Sequence, residues 1–146
     1  MNQSRIVLDT NILVAAARSR NGASYALLQA LRNRRFIALA SVVPLMLEYE
    51  AVLKRPEHLA IGNRTILMTD TFLDAMSQYI EPVHLHYLWR PQLRDPADEM
   101  VLETALNGRA NALVTLNVND FAPASHFRLS VLNPGECLRR LQQEQN

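Results

Sequence analysis

The sequence predicts an α/β fold in which helices cover both faces of a mainly parallel β-sheet. Short apolar runs alternate along the chain with longer segments of helical periodicity. The first run, at residues 5–8, lacks polar alternation, as is typical of a central parallel strand buried on both faces. With 146 residues, 49% of them hydrophobic, the chain has the size and apolar content of one ordinary domain. We therefore expect a single domain over residues 1–146.

The first third of the chain contains two strand signals and three helix signals. The first strand stops at Asp9, where the apolar run ends. Pro44 opens the third helix, which ends before Pro56 because the residue preceding a proline avoids the helical region. The predicted elements are a strand at 5–8, helices at 11–18 and 23–33, a strand at 36–40 and a helix at 44–53.

The rest of the chain continues the alternation after a predicted loop. Pro82 is expected to break a long helix, and the alternating residues that follow it indicate a half-exposed edge strand. Pro96 suits the first position of a helix capped by Asp95, and Gly108 supplies a left-handed stop. The predicted elements are a loop at 57–63, a helix at 64–80, a strand at 83–87, a helix at 96–107, strands at 112–116 and 127–132, and a helix at 134–142.

Charge and cysteine content exclude several classes of protein. Fifteen basic and 14 acidic residues give a net charge of +1, so any attraction to a polyanion must be local. Cys137 is the only cysteine, which rules out an intrachain disulfide or a cysteine-based zinc site and suggests a reducing compartment, the cytoplasm. We find no signal peptide and no apolar run long enough to span a bilayer, and therefore expect no membrane association.

The predicted order of strands and helices places four acidic residues near one edge of the sheet. Asp9 follows the first strand, Asp120 follows a later strand, Asp98 lies in the first turn of a helix, and Glu48 flanks the buried stripe of the third helix. The carboxyl edge of an open α/β sheet is where ligands bind. Since no cationic side chain accompanies these acids in sequence, they imply an added cation, and oxygen ligands indicate Mg²⁺ or Mn²⁺.

Each of these acids also has a structural explanation. Asp95 and Asp98 have the spacing of a capping box, and acids are common at helix starts. Asp9 and Asp120 are equally suited to cap a helix, and Glu48 to lie solvated on one. The functional interpretation rests on all four meeting at one edge.

Four ordered motifs together resemble PIN-domain ribonucleases of the VapC-like, type II toxin–antitoxin kind. They are Asp9-Thr10-Asn11 after the first strand, Glu48-Tyr49-Glu50-x-Val52-Leu53, Asp95-Pro96-x-Asp98-Glu99-Met100, and Val114-Thr115-x-Asn117-x-x-Asp120-Phe121. The resemblance implies a three-layer α/β/α PIN-like fold with strand order 3-2-1-4-5. It also implies a Mg²⁺- or Mn²⁺-dependent endoribonuclease, an RNA substrate, a cognate antitoxin and a homodimer.

The resemblance assigns roles to individual residues. Asp9, Glu48 and Asp98 match the three acids of the family's catalytic site, and Asp120 matches the fourth. Asp9, Asp98 and Asp120 would hold the metal, with Glu48 ligating directly or through water. The ion would activate water and neutralise charge on the phosphodiester as it is attacked in line.

Polar and basic residues complete the predicted site. The resemblance makes Asn11 and Thr115 supporting polar residues, and Asn117 lies where some members carry a further acid, so the last ligand is either Asn117 or Asp120. Arg18 and Arg20, which follow the first helix, are predicted to contact the RNA backbone. We interpret Trp89 as making a hydrophobic contact rather than stacking on a base.

Three other functions fit part of the pattern. A haloacid-dehalogenase-like phosphatase needs a second acid two residues after the first, where this chain has Asn11, and a late lysine. Lys54 is the only lysine, so a receiver-type phosphoacceptor domain is equally disfavoured. A non-catalytic PIN-like module that binds RNA or protein is disfavoured by the complete set of acids.

Overall fold

The fold is taken from a computed structural model of the chain, which describes residues 3–41, 43–87 and 91–144. Helices and strands alternate through most of the chain. In order, the elements are β1 (Arg5–Leu8), α1 (Thr10–Arg18), α2 (Ala23–Arg32), β2 (Ile37–Ser41), α3 (Pro44–Leu53), α4 (Pro56–Ile61), α5 (Ile66–Ser77), β3 (Ile80–Val83), α6 (Pro96–Asn107), β4 (Ala112–Val114), a 3₁₀ segment (Val118–Phe127), β5 (Ser130–Leu132) and α7 (Pro134–Glu144).

The five strands form one sheet in the order β3-β2-β1-β4-β5, and every neighbouring pair is parallel. This confirms the predicted α/β/α fold and its strand order. From β1 the chain builds outward through β2 to β3, and then crosses to the other side of β1 to add β4 and β5. The direction in which successive strands are added therefore reverses between β1 and β4. Such a topological switch point opens a crevice at the carboxyl ends of the two strands.

The middle of the sheet is buried, as the first apolar run predicts. Val7 of β1 pairs with Leu39 of β2 and Leu113 of β4, and each of these three side chains is at most 1% exposed. Helix α6 packs on β1, β2 and β4, while α1 and α2 pack on each other and α2 packs on α7. Among the described residues, no helix has the length and apolar character needed to cross a membrane.

The loop predicted at residues 57–63 is wrong, because α4 occupies Pro56–Ile61. Arg55 is extended (φ −61°, ψ 137°), as expected of a residue before proline. Pro56 then begins a new helix instead of ending the previous one. The helix buries none of its residues, so its sequence has no apolar stripe from which a helix could be predicted.

The third strand is Ile80–Val83, not residues 83–87 as predicted, and the helix before it ends at Ser77. Pro82 was interpreted as a helix breaker, yet it lies within β3 opposite Ala40. A proline is tolerated there because β3 is an edge strand and pairs only with β2. The alternating segment after Val83 lies beyond the strand's end, where Leu85 is partly buried against the core and His84, His86 and Tyr87 are exposed.

The left-handed stop after α6 is formed by Arg109 (φ 53°) and not by Gly108 (φ −84°) as predicted. Gly108 is required for another reason. A Cβ there would lie 2.9 Å from Val83 Cγ2 and 3.0 Å from the carbonyl oxygen of Thr104. The glycine thus lets the end of α6 approach the sheet closely.

The last two strands are shorter than predicted. β4 ends at Val114 and β5 begins at Ser130, whereas strands were expected at 112–116 and 127–132. The 3₁₀ segment Val118–Phe127 fills most of the intervening chain and ends at Arg128, which has a left-handed conformation (φ 58°). Asp120 therefore lies in the first turn of this segment.

Candidate active site

Asp9 lies where the chain leaves β1, on the side of β4. It occupies the N-cap position of α1, and its side chain is buried with 7% of the residue exposed. The backbone N–H of Asp9 donates to the carbonyl of Val114 at 2.8 Å. Its Oδ2 accepts a hydrogen bond from the Thr115 hydroxyl at 2.7 Å. The carboxylate is thus fixed at the switch point of the sheet.

The surroundings of Asp9 disfavour its negative charge. Burial raises the pKa of this carboxyl above its usual range, and the charge of Asp95 adds to the effect. The Thr115 hydroxyl and the backbone N–H groups of Thr10 and Asn11 oppose the rise in pKa only partly. Neither N–H meets the geometry of a capping hydrogen bond, so Asp9 does not cap α1 in the ordinary way.

The Thr115 hydroxyl organises the polar groups around Asp9. Its oxygen accepts from the side-chain amide of Asn11 at 3.3 Å and from the backbone N–H of Asn117 at 3.1 Å. Asn11 Oδ1 in turn accepts from the backbone N–H of Leu116 at 3.3 Å. With its two acceptor positions filled, Thr115 donates its proton to Asp9. The three predicted supporting residues therefore surround the first acid.

Asp98 lies in the first turn of α6 and is half-buried. Burial raises its pKa to about 6, and the negative charges of Asp9, Asp95, Asp120 and Glu99 contribute in that order. The charges of Asp9 and Asp120, which are far from Asp98 in sequence, therefore both reach Asp98 through space. Like charges that raise the pKa of a carboxyl in this way are relieved by a nearby cation.

An open cleft of about 630 Å³ contains Asp98 and Asp120. Its walls come from the chain before α6, from the start of α6 and from the 3₁₀ segment. Polar lining residues include Gln92, Arg94, Asp95, Asp98, Asn119 and Asp120. The Asn117 side chain is exposed and makes no hydrogen bond to a described residue, whereas the charge of Asp120 helps to raise the pKa of Asp98. Which of the two supplies the last ligand stays a prediction.

Glu48 is half-buried on α3 and is not among the acids whose charges raise the pKa of Asp9 or Asp98. Its neighbour Tyr49 connects α3 to the site. The buried Tyr49 hydroxyl donates a short hydrogen bond to the carbonyl of Leu8, directly before Asp9. Burial and then the charge of Asp9 raise the pKa of Tyr49. Helix α3 is thus anchored at the acids, while a role for Glu48 stays a prediction.

The donor set suits a hard divalent cation. In the described parts of the chain, the ion pairs are Arg5–Glu81, Lys54–Glu50 and Lys54–Asp70, so none neutralises the predicted site acids. Uncompensated carboxylates are the ligands that Mg²⁺ and Mn²⁺ prefer. Within the same residues, no three His, Cys, Asp or Glu side chains are already arranged closely enough to hold a metal. Metal binding by Asp9, Asp98 and Asp120 therefore stays a prediction.

The two arginines predicted to contact RNA lie away from this cleft. Arg18 ends α1, roughly 13 Å along the helix from Asp9. Its Nη2 is 2.9 Å from His58 Nδ1. Arg20 lines a different groove, bounded by α1, α2 and α5. A role of Arg18 and Arg20 in RNA binding stays a prediction, and Trp89 lies outside the described residues.

Three residues of the site escaped the sequence interpretation. Asp95 was taken only as a helix cap, and its side chain does accept from Ala97 N at 2.9 Å, but its charge also acts on Asp9 and Asp98. Arg94, four residues before Asp98, lines the cleft with Asp98 and Asp120, so the expectation that no cationic side chain accompanies these acids in sequence is wrong. Glu99 is buried and accepts hydrogen bonds from the two residues before Arg94. The one sequence feature that could have pointed to these three residues is their closeness to the Asp95-Pro96 helix start.

Comparison with known proteins places the fold in a family. The sequence model of the PIN domain matches residues 5–119. The structure is similar to a chain of VapBC2 from Rickettsia felis bound to a promoter DNA fragment, with 17% identity, a TM-score of 0.62, and 88% of this chain and 98% of that chain covered. It is also similar to a chain of FitAB bound to an IR36 DNA fragment, with 18% identity, a TM-score of 0.58, and 88% and 94% covered. No curated protein matches the sequence significantly.

Proposed function

Because this chain belongs to the PIN domain family, we propose that it is a Mg²⁺- or Mn²⁺-dependent endoribonuclease. One observation carries the proposal. The charges of Asp9 and Asp120 both act on Asp98 at the carboxyl edge of the sheet, and no cationic side chain among the described residues forms an ion pair with these acids. A divalent ion would relieve the repulsion among such carboxylates.

In this mechanism, the chain's own residues hold and orient the reacting groups. Asp9, Asp98 and Asp120 would bind the ion, and Glu48 would ligate it directly or through water. Thr115 fixes one oxygen of Asp9 and leaves the other for the metal. The bound ion would supply Lewis acidity to the attacked phosphate and its attacking water. The open cleft beside Asp98 and Asp120 would admit a single-stranded polynucleotide.

We further propose that the protein is the toxin of a type II toxin–antitoxin pair, acts in the cytoplasm and forms a homodimer. The likeness to chains of the VapBC2 and FitAB complexes supports a cognate antitoxin as partner. An antitoxin would keep the cleft closed to RNA until it is removed. The neighbouring reading frame tests this part directly, since it should encode a short DNA-binding protein that co-purifies with the chain.

Cleavage of labelled single-stranded RNA tests the catalytic proposal. We expect cleavage with Mg²⁺ or Mn²⁺ and none with excess EDTA. Asp9→Asn and Asp98→Asn should each lower the rate at least about 100-fold, because even residues that only support metal ligands cost 10- to 100-fold. Asp74→Asn, which changes an exposed acid on α5, is the matched control and should cleave normally. Circular dichroism would show that all variants fold.

Three results would contradict the proposed nuclease. Cleavage that persists in Asp9→Asn and Asp98→Asn would mean that other groups, or a contaminant, do the chemistry. A folded wild-type chain that binds RNA with metal present but never cleaves it would favour the non-catalytic PIN-like module. Acid-labile phosphorylation of Asp9 would instead favour a phosphatase.

A further inference from the structure

The cleft wall that contains Arg94 is tied to α6 by a buried carboxylate. Glu99 Oε1 accepts hydrogen bonds from the backbone N–H groups of Gln92 and Leu93, both at 2.7 Å. The residue is 4% exposed. Two short hydrogen bonds to the same buried oxygen hold this segment against α6.

A second side chain of α6 holds the other end of the same connection. Asn107 lies eight residues after Glu99, which places both on one face of the helix. Asn107 Oδ1 accepts from the backbone N–H groups of His86 at 2.8 Å and Tyr87 at 3.0 Å, and its Nδ2 donates to the Tyr87 carbonyl at 2.9 Å. Hydrogen bonds to α6 therefore hold the connection from β3 to α6 at both of its described ends, through Asn107 at one end and Glu99 at the other.

Stability alone does not account for Glu99. Its Oε2 is buried and, in the part of the chain that the structure describes, has no hydrogen-bond partner. Burying a carboxylate costs free energy that an apolar side chain would avoid. Such a group is retained where its position serves a purpose, and what it positions here is the residue pair immediately before Arg94.

Arg94 is exposed, lines the acidic cleft and has no ion pair or hydrogen bond to any residue that the structure describes. The other charged residues that line the cleft, Asp95, Asp98 and Asp120, repel a polynucleotide backbone. A divalent ion offsets that repulsion for the phosphate it binds but leaves the neighbouring phosphates without a partner. A guanidinium on the cleft wall is suited to one of them, because its planar fork matches two phosphate oxygens.

We propose that Arg94 binds a phosphate next to the scissile one on a single-stranded RNA, and that Glu99 is the positioning residue that holds Arg94 at the cleft. The assignment rests on the proposed nuclease function for its substrate. It differs from the predicted contacts at Arg18 and Arg20, which lie outside the cleft.

Equilibrium binding without cleavage tests the role of Arg94. A fluorescent 12-nucleotide single-stranded RNA would be titrated with each variant in Ca²⁺, and fluorescence anisotropy measured at several salt concentrations. Arg94→Ala should weaken binding about 5- to 10-fold and reduce the slope of log K against log salt by about 0.7, the loss of one phosphate contact. Arg94→Lys should restore the slope but only part of the affinity. Arg32→Ala, which removes an exposed arginine at the end of α2, is the control.

A double-mutant cycle tests the role of Glu99. Glu99→Ala should weaken RNA binding nearly as much as Arg94→Ala, and Arg94→Ala should add at most about a twofold loss in that background. Glu99→Gln keeps an acceptor oxygen for Gln92 and Leu93 and should restore most of the binding. If Glu99→Ala fails to fold, Gln92→Pro, which removes one of the two N–H donors to Glu99 Oε1, takes its place in the same cycle.

The outcomes separate this inference from the nuclease proposal. If wild type cleaves RNA but Arg94→Ala binds with the affinity and salt slope of Arg32→Ala, the inference fails and the nuclease stands. If Arg94→Ala binds weakly while wild type never cleaves, the phosphate contact stands and the nuclease fails. If the losses of RNA affinity caused by Glu99→Ala and Arg94→Ala add fully, Glu99 does not act through Arg94 and the positioning role fails.

Discussion

Thr115 is the side chain on which the geometry of the first acid depends. It is fully buried, and its hydroxyl accepts from Asn11 and Asn117 while it donates to Asp9. A hydroxyl whose acceptor positions are filled can point its proton in only one direction. The orientation of the Asp9 carboxylate is therefore set before any ion arrives.

We predict that Thr115→Val lowers the affinity for Mn²⁺ by about 10- to 100-fold, as expected when a group that orients a metal ligand is lost. The substitution should also cost about 1–3 kcal/mol of stability, because the buried oxygen of Asp9 loses its donor. Calorimetric Mn²⁺ titration and urea unfolding measure the two effects. Thr115→Ser keeps the hydroxyl and should restore the metal affinity. Equal Mn²⁺ affinity in Thr115→Val would show that Asp9 does not depend on this hydrogen bond.

At the scale of single residues, the sequence allowed the positions of Asp9 and Asp120 in the fold to be predicted, but not the contacts of Glu99 or the position of Arg94. Asp9 and Asp120 could be placed because each follows an apolar run, and the end of a parallel strand has a known edge. Glu99 could not, since its partners are backbone N–H groups of Gln92 and Leu93, which carry no sequence signal. Arg94 likewise became informative only when the fold placed it in the cleft.

The end of α6 was predicted at the right residue but for the wrong reason, as Gly108 and Arg109 show. Helix α6 stops at Asn107, as predicted, but the left-handed residue is Arg109 and the glycine has an ordinary φ. Gly108 is needed because Val83 and Leu39 of neighbouring strands crowd the position of its missing Cβ. Turn propensity and close packing both select glycine, and only the fold distinguishes them.

The two explanations predict different stabilities. Gly108→Ala should destabilise the protein by about 1–3 kcal/mol through overpacking. Arg109→Gly should be neutral or stabilising by up to about 1 kcal/mol, because a glycine adopts positive φ without strain. Urea unfolding of both variants measures the free-energy changes. A destabilising Arg109→Gly together with a harmless Gly108→Ala would reverse the assignment.

The elements that the sequence missed share a physical cause. Helix α4 buries none of its residues, and β3 lies at the sheet edge with Pro82 inside it. Hydrophobic periodicity reports burial, so it predicted β1 and α2 closely and was silent at the surface. Where burial is one-sided or absent, tertiary context decides the element and the local sequence does not.

At the scale of the whole molecule, helices α3 and α5 expose large apolar side chains that do not line the acidic cleft. Val43 and Leu47 at the start of α3 are 69% and 57% exposed, and Ile66, Leu67 and Met68 at the start of α5 are 56%, 74% and 47% exposed. The two helices pack on each other, and the Lys54–Asp70 ion pair joins the end of α3 to α5. Large exposed apolar side chains on neighbouring helices are typical of interaction surfaces. They support the proposed homodimer.

If a second copy covers this surface, a charge placed at its most exposed apolar residue must oppose assembly. We predict that Leu67→Glu raises the dimer dissociation constant roughly 100-fold or more, since an unpaired buried charge costs several kcal/mol. Light scattering coupled to size exclusion would then show a monomer at concentrations where wild type is a dimer. Ala26→Glu adds the same charge at an exposed position on α2 and should leave the dimer intact. A wild-type monomer, or a Leu67→Glu dimer of unchanged affinity, would show that this apolar surface is not a dimer interface.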